Sequence, residues 1–280
     1  MPPLRPVLAA LLALAPAAAP AAQKAVTLVA CAPGYPGSTA EAQPSLDALA
    51  ATLTDGAGWP RESLRAVYHQ GEKDGVARLG QPDAALAMVP LPFLLRHGEA
   101  LRLEPRFQVQ SEGGALLEAW SLVARKGSVG SPAALAGFTV VSLAGYAPDF
   151  VRGALGAWGR LPDSAAVSFS GQVLTALRKA AGGEKVALLL DAAQTAALST
   201  LPFAAELEVV ARSAPLPAAL LCTVRGRLPA ARRKALEKAL LDLPVRPAGA
   251  AALQGVRVVR FAPVDQAALA AARRLARGSR

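Results

Sequence analysis

The sequence predicts an α/β protein built from mixed β-sheets that are flanked by helices. Short apolar runs of strand length, such as residues 26–30 and 186–190, alternate with stretches whose apolar residues recur at helical spacing. The same alternation begins again after Pro132. A chain of 280 residues, 53% of them apolar, can bury a sizeable core. Its length allows one large domain or two lobes of roughly 100–150 residues each.

The first part of the chain predicts a strand, a turn and a helix, followed by further units of this kind. The run at 26–30 has the composition of a strand buried on both faces. A Pro/Gly turn follows, and Ser38 with Glu41 forms an S-x-x-E capping box that starts a helix ending near Leu53. The next expected elements are a strand at 64–68, a helix at 71–79, and strands at 83–89, 107–109 and 119–124.

The rest of the chain continues the alternation. Gly182 and Gly183 end one predicted helix with residues that tolerate a left-handed backbone. Pro229 suits the first position of another helix, which has no amide hydrogen bond to lose. The predicted strands lie at 138–142, 166–169, 186–190, 206–211, 219–224 and 256–261, and the helices at 148–158, 172–181, 192–198, 229–243 and 265–277.

The N-terminus has the pattern of a signal peptide, expected to span residues 1–22. Arg5 supplies the positive charge, residues 6–15 form a short apolar segment, and small residues at 17–22 offer cleavage near Ala21-Ala22. The apolar segment is shorter than the ~20 residues that span a bilayer. Export with cleavage is the preferred interpretation, and an uncleaved anchor is the alternative.

Cys31 allows two further interpretations. Residues 28–31 fit a lipoprotein box, but Gln23 and Lys24 interrupt the preceding apolar stretch, so lipidation is disfavoured. A disulfide between Cys31 and Cys222 is conceivable in an oxidising compartment, although two cysteines do not make a framework.

The formal net charge of +10 is compatible with solvated helix faces or with a patch for anionic lipid or nucleic acid. The visible clusters, at 232–234 and 273–280, lie on predicted helices, and aromatic residues make up only 5% of the chain. We therefore expect no nucleic-acid partner, since stacking platforms need exposed aromatic side chains. A positive field also favours an anionic solute.

The order of elements resembles the type 2 periplasmic binding proteins, and more narrowly the phosphate/phosphite/phosphonate-type substrate-binding proteins of ABC importers. No single motif is decisive, and the order and spacing of several segments carry the resemblance. These are VTLVA at 26–30, LGQPDAALA at 79–87, WSLVARKG at 120–127 with SPAALAG at 131–137, GGEKVALLLD at 182–191, and SAPLP at 213–217 with Leu228-Pro229.

This resemblance implies a two-lobed, periplasmic-binding-protein-like type II fold in which each lobe is a mixed sheet flanked by helices. Residues 24–122 and 213–280 would form the first lobe and residues 123–212 the second. Two crossings, near residues 119–126 and 213–224, would join them, and the lobes would close around a solute by hinge motion.

Candidate ligand-binding residues follow the predicted strands. Tyr35, Ser38 and Thr39 come after the first strand, where a helix N-terminus suits an anion, and Ser38 also serves as the helix cap. In the second lobe the resemblance points to four residues: Tyr146, Ser170, Gln172 and Asp191. Asp191 could bind an amine on the solute or cap the following helix.

The second-lobe turn departs from the phosphonate-binding pattern. Those proteins carry a Ser-Thr run there, whereas this chain reads Leu143-Ala144-Gly145-Tyr146-Ala147, and the next loop lacks the histidine often found in the family. The fold therefore carries over better than the phosphonate specificity.

We find no catalytic or metal-binding motif in the sequence. G-x-S-x-G, Walker and G-x-G-x-x-G patterns do not occur. His69 and His97 have no partners at metal-ligand spacing, so neither a metal nor a cofactor is expected.

The predicted function is an exported, monomeric solute-binding protein that captures a small anionic solute in the cleft between the lobes and delivers it to an ABC permease. Two alternatives stay open, because fold alone never settles function. The first is a binding module that has lost its solute and acts as a sensory or interaction subunit. The second is an enzyme on the same scaffold.

Overall fold

The computed structural model describes residues 24–35 and 37–278, so the predicted signal peptide lies outside the described residues. In this part of the chain thirteen strands and nine α-helices build two mixed sheets and a two-stranded ribbon. The strands are β1 (Val26–Cys31), β2 (Leu64–His69), β3 (Ala84–Pro90), β4 (Leu103–Ser111), β5 (Leu117–Glu118), β6 (Ser121–Arg125), β7 (Thr139–Ser142), β8 (Ala166–Phe169), β9 (Val186–Leu190), β10 (Leu207–Arg212), β11 (Leu216–Pro217), β12 (Ala219–Val224) and β13 (Val258–Pro263). The helices are α1 (Thr39–Gly56), α2 (Glu72–Gly80), α3 (Leu91–His97), α4 (Pro148–Ala154), α5 (Val173–Ala181), α6 (Ala192–Ala197), α7 (Ala230–Asp242), α8 (Pro247–Gly255) and α9 (Gln266–Gly278).

The first sheet has the strand order β13-β4-β12-β3-β1-β2. β1 pairs in parallel with β2 and β3, whereas β12 is antiparallel to β3 and β4. Every residue of β1 is buried. Val29 and Cys31 face one hydrophobic cluster, while Val26, Leu28 and Ala30 face another. The continuous apolar run at 26–30 therefore reflects a strand that is covered on both faces.

The second sheet, in the order β10-β6-β9-β7-β8, takes all its strands from residues 121–212. β7 is parallel to β8 and β9, and β6 is antiparallel to β9 and β10. The predicted α/β class, with two mixed sheets flanked by helices, is confirmed.

The two connections between the sheets lie side by side. β5 and β11 pair as an antiparallel ribbon, in which Glu118 stands opposite Leu216. Next to it the Trp120 amide donates to Ser213 Oγ at 2.9 Å, and the Ser213 amide donates to the Trp120 carbonyl at 2.8 Å. The two connecting segments thus end before β6 and β12. The first, which contains β5, begins earlier in the chain than the crossing expected near residues 119–126.

Helix α9 packs against α4, although the two come from different predicted lobes. The approach is close, because a Cβ added to Gly153 of α4 would lie 2.5 Å from the carbonyl oxygen of Leu275 in α9. One hydrophobic cluster accordingly continues from the first sheet through Trp120 to the second and includes Leu269 of α9. The predicted division into 24–122 with 213–280 and 123–212 stays a prediction.

Two helices were not expected from the sequence. The sequence predicts a strand at 83–89 with no helix directly after it, but α3 begins at Leu91, and its Pro92 lies in the first turn. α8 begins at Pro247 and was missed because glycines occur at both Gly249 and Gly255. Proline is tolerated at such positions because the first helical amides have no partner within the helix.

Both cysteines are buried and free. Cys31 is the last residue of β1, and its Sγ lies 3.7 Å from the Gly71 carbonyl oxygen. Cys222 lies in β12, so the conceivable disulfide is not formed. No helix within residues 24–35 and 37–278 combines the length and hydrophobicity needed to cross a membrane.

Candidate functional site

The turn after β1 brings the first sheet into contact with the second. Gly34 has a φ of +80°, a left-handed conformation that glycine adopts readily. A Cβ at this position would lie 2.8 Å from Leu143 Cδ2 and 2.9 Å from Phe169 Cε2. The turn is also tied to its own sheet, because the Gln70 amide nitrogen Nε2 donates to the Tyr35 carbonyl at 2.8 Å. The loops at the carboxyl ends of the parallel strands therefore face each other.

Tyr35 and Asp191 join the two sets of loops that face each other. The Tyr35 hydroxyl donates a 2.8 Å hydrogen bond to Asp191 Oδ2. Asp191 is buried, with 3% of its surface exposed, and it also caps α6. Its Oδ1 accepts from the Gln194 amide at 2.8 Å, and Gln194 Oε1 accepts from the Asp191 amide at 3.2 Å. Capping and contact with the opposite lobe are thus divided between the two carboxylate oxygens.

Glu118 completes a group of three polar side chains and was missed by the sequence analysis. It lies on β5, in the first crossing, and its Oε2 accepts from the Ala192 amide at 3.4 Å. Burial raises the pKa of Glu118 to about 7, and the nearby Asp191 charge adds to this shift. A glutamate within the otherwise apolar stretch 115–120 was the only sequence signal for it.

The hydroxyl of Tyr35 responds to the same charges. Burial raises the pKa of Tyr35 well above its usual range, and the negative charges of Asp191 and Glu118 raise it further. Tyr35 therefore remains a neutral hydrogen-bond donor. The first sheet, the β5–β11 ribbon and the second sheet each contribute one member to this group of Tyr35, Glu118 and Asp191, called the cleft cluster below.

Tyr146 follows β7 of the second sheet, and charged or titratable groups near the first sheet influence its hydroxyl. It is 8% exposed, and its ring meets Phe169 edge-on with centroids 5.9 Å apart. Its buried hydroxyl has no hydrogen-bond partner among the described residues. Burial raises the pKa of Tyr146 well above its usual range, with Cys31 and Glu72 of the first lobe adding to the shift. The Tyr146 hydroxyl is thus available to donate a hydrogen bond to a ligand.

Ser38 and Thr39 make their hydrogen bonds within the first lobe. Ser38 Oγ accepts from the Glu41 amide at 3.2 Å, and Glu41 Oε2 accepts from the Ser38 amide at 2.8 Å, as the capping-box pattern predicts. Thr39 Oγ1 donates to the Tyr68 carbonyl at 2.8 Å. Both residues are exposed.

Ser170 and Gln172 lie on the loop that faces the Gly34 turn. The Gln172 amide donates to Ser170 Oγ at 3.0 Å, and Gln172 is exposed. Between them, a Cβ at Gly171 would lie 3.5 Å from the Gly34 carbonyl oxygen. The structure therefore places this loop opposite Tyr35.

The second-lobe turn has little polar capacity left for a ligand. Ser142 Oγ donates to the Leu189 carbonyl at 2.6 Å and accepts from the Ala144 amide at 3.1 Å. The Gly145 amide donates to the Ser142 carbonyl, and the Ala147 amide to the Ala144 carbonyl. Several groups that could hold an anion here are already used within the turn.

The described residues hold no group of three or more His, Cys, Asp or Glu side chains arranged to bind a metal ion. His97 Nε2 lies 2.6 Å from Glu72 Oε1, and its ring packs against Phe93 with centroids 4.9 Å apart. His97 is therefore part of a local hydrogen-bond and packing arrangement.

A protein-family model described as "ABC transporter, phosphonate, periplasmic substrate-binding protein" matches residues 90–269. No curated protein matches the chain in sequence. The Xanthomonas citri protein XAC2383, in a structure bound to ATP, has a TM-score of 0.70 at 17% identity over 91% of this chain and 97% of that protein. A binding protein component of an ABC phosphonate transporter from Pseudomonas aeruginosa has a TM-score of 0.62 at 14% identity, over 90% and 85% of the two chains.

PhnD1 from Prochlorococcus marinus, in complex with methylphosphonate, has a TM-score of 0.59 at 12% identity and covers 91% of this chain and 98% of that one. At these identities the likeness shows the fold alone. It confirms the two-lobed, periplasmic-binding-protein-like type II fold.

Proposed function

Because the chain belongs to the family of phosphonate-type periplasmic substrate-binding proteins of ABC transporters, which bind rather than transform their ligands, we propose that it captures a small anionic solute that also carries an amine. The amine would meet Asp191 and Glu118, and the protein would deliver the solute to an ABC permease. The observation that carries this proposal is the 2.8 Å hydrogen bond between Tyr35 and Asp191 across the cleft.

The carboxylates support an amine at this end of the solute. Asp191 is buried, and a buried carboxylate is stabilised by an opposite charge and by hydrogen-bond donors. Glu118 has a pKa of about 7, so an ammonium group beside it would favour its ionised form. The solute would therefore bind with release of a proton near neutral pH, and more tightly at pH 8 than at pH 6.

The anionic part of the solute is supported by the net charge of +10, which attracts anions over long range. The Tyr146 hydroxyl, buried and unpartnered among the described residues, would donate to it. Ser38, Thr39, Ser170 and Gln172 remain in the proposed site, because they lie on the two loops that face each other across the cleft.

We also propose two lobes that close as a hinge at the β5–β11 ribbon, in a protein that acts as a monomer. The ribbon is short, with two residues paired on each side. α9 would follow the second lobe through its packing against α4. Small-angle scattering with and without solute would measure closure and mass together.

Export by a cleaved signal peptide is proposed for the mature protein. Lipidation at Cys31 would require cleavage just before this residue, which would remove most of β1. β1 lies between β2 and β3, so its loss would open the first sheet. Mass spectrometry of the exported protein should find a start near Ala22, and a lipidated Cys31 would contradict the proposal.

The solute proposal is tested by titration calorimetry with pairs of ligands that differ only in an amine, such as ethylphosphonate and 2-aminoethylphosphonate. We expect the amine-bearing member to bind more tightly, and Asp191→Asn to weaken it about tenfold or more. Asp163→Asn, which removes an exposed second-lobe carboxylate, is the matched control. Equal binding of both ligands, or an unaffected Asp191→Asn variant, would contradict the amine assignment. No binding by any anion would contradict solute capture.

A further inference from the structure

A second concave site lies away from the cleft cluster, between α3, α4 and α9. It is a groove of about 510 Å³, a volume within the range of small-molecule sites. Tyr35, Glu118, Tyr146 and Asp191 are not among its lining residues. Apolar lining comes from residues such as Leu94 and Phe150.

Five arginines converge on this groove from four separate segments of the chain. Arg273 and Arg277 are one turn apart on α9, where residues at this spacing share a helix face. The other three lie at the end of α3, just before β4 and just after β12, and they are Arg96, Arg102 and Arg225. Only two carboxylates, Glu99 and Asp149, line the same groove.

Register shows that the groove is at the opposite end of the first sheet from the cleft. Val224 at the end of β12 pairs with Leu103 at the start of β4. Ala219 at the start of β12 pairs with Pro90, at the end of β3. Arg102 and Arg225 therefore lie at the strand ends that are far from the loops following β1 and β3.

The ion pairs of these arginines leave an excess of positive charge. Arg96 Nε lies 3.0 Å from Glu72 Oε1, and Arg225 Nε lies 2.7 Å from Glu104 Oε1. Within residues 24–35 and 37–278, Arg102, Arg273 and Arg277 form no ion pair. Like charges held in one concavity repel each other, and a multivalent anion would relieve this repulsion.

We propose that this arginine groove binds a small multivalent phosphate, such as a diphosphate or an organic polyphosphate. The planar guanidinium group matches phosphate oxygens in a bidentate geometry. A singly charged anion would engage only one or two of the five arginines, whereas adjacent phosphoryl groups can reach arginines on α9 and on the first sheet. Because the groove is lined by α4 as well as by α3, the bound anion would bridge residues of the two predicted lobes.

Titration calorimetry with orthophosphate, pyrophosphate and tripolyphosphate at low ionic strength tests the proposal. We expect affinity to increase with the number of phosphoryl groups and to fall with added salt. The double variant Arg273→Gln/Arg277→Gln should weaken pyrophosphate binding about tenfold or more, since it removes two charged donors. Its circular dichroism and melting temperature should match those of the wild type, because the two arginines are exposed.

The matched control is Arg65→Gln/Arg274→Gln, which removes the same charge from exposed positions, one of them on α9, outside the groove. If the site is specific, this control should change the dissociation constant of pyrophosphate less than twofold. Such a change is smaller than the effect of losing one hydrogen bond to a charged group. Equal weakening in both double variants would show unspecific attraction by net charge and overturn the site. Absence of pyrophosphate binding, or tighter binding of citrate than of tripolyphosphate, would overturn the phosphate assignment.

Discussion

The Tyr35 hydroxyl and Asp191 Oδ2, which are 156 residues apart in sequence, form a 2.8 Å hydrogen bond that connects the turn after β1 with the start of α6. The carboxylate that accepts this bond is also the cap of α6, so its position is held by the Gln194 amide. The hydrogen bond therefore links the turn after a strand of the first sheet to a carboxylate that follows a strand of the second sheet. Its removal is the simplest way to test how the lobes are held together.

Tyr35→Phe should destabilise the protein by about 1–2 kcal/mol, because a hydrogen bond to a charged group is lost while the ring is kept. The melting temperature should fall by a few degrees. Tyr68→Phe removes a hydroxyl from the neighbouring β2, where it does not contact Asp191, and serves as the control. If both variants melt together, the hydrogen bond between the lobes contributes no stability of its own.

Glu118→Gln should make stability less dependent on pH. The pKa of Glu118 is about 7 in the folded protein, against about 4.3 for an unfolded glutamate. Between these values the unfolded chain has lost a proton that the folded protein keeps, so the wild type loses stability as pH rises through this window. Above pH 7 the loss of unfolding free energy caused by Glu118 reaches its full size.

We expect Glu118→Gln to exceed the wild type in unfolding free energy by about 3–4 kcal/mol at pH 8, and to show almost no gain near pH 4. The amide oxygen of Gln can still accept from the Ala192 amide. Urea denaturation at the two pH values measures the difference, and Glu112→Gln on an exposed loop is the control. A gain of the same size at both pH values would contradict the raised pKa.

Gly145→Ala should destabilise the second lobe by about 2–4 kcal/mol through steric overlap. A Cβ at Gly145 would lie 2.2 Å from the Ser168 carbonyl oxygen, so the turn after β7 and strand β8 would have to separate. Gly130→Ala is the matched control, because an added Cβ there meets no atom within 4 Å. Denaturant unfolding of the two variants gives the comparison, and equal stability would contradict the close approach.

The two thiols should be unreactive in the native protein. Burial raises the pKa of both Cys31 and Cys222 to about 12, so the nucleophilic thiolate is scarce at pH 8. A thiol reagent should modify neither cysteine in the native protein and both after denaturation without reductant. Failure to detect two thiols in the denatured protein would indicate a disulfide and contradict the free state described for them.

Most strands were predicted from the sequence because their signals are local. Residues 166–169, 186–190 and 219–224 were predicted as strands and are strands β8, β9 and β12. Ser38 was predicted as a helix cap from its spacing to Glu41, and the structure contains the reciprocal pair of hydrogen bonds. α3 and α8 were missed because the prolines in their first turns, and Gly249 in α8, resemble chain breaks. Proline is tolerated at these positions because the first amides of a helix have no partner within it.

The sequence also placed Tyr35 and Asp191 after their strands but could not show that they meet. A glutamate in an apolar stretch was the only local signal for Glu118, since its raised pKa depends on burial and on the charge of Asp191, 73 residues later in the chain. The contact of α9 with α4 likewise depends on Gly153 lying opposite Leu275. The spacing of apolar residues in the sequence cannot predict this contact.

The sequence by itself determined the order and type of most elements, α3 and α8 excepted, because strand and helix periodicities are properties of neighbouring residues. It also determined the family resemblance, which rests on that order. Only the tertiary structure decided which charges share the cleft and which share the arginine groove. Burial and Coulomb interactions depend on distance in space, and that distance is set by how the two sheets and α9 pack.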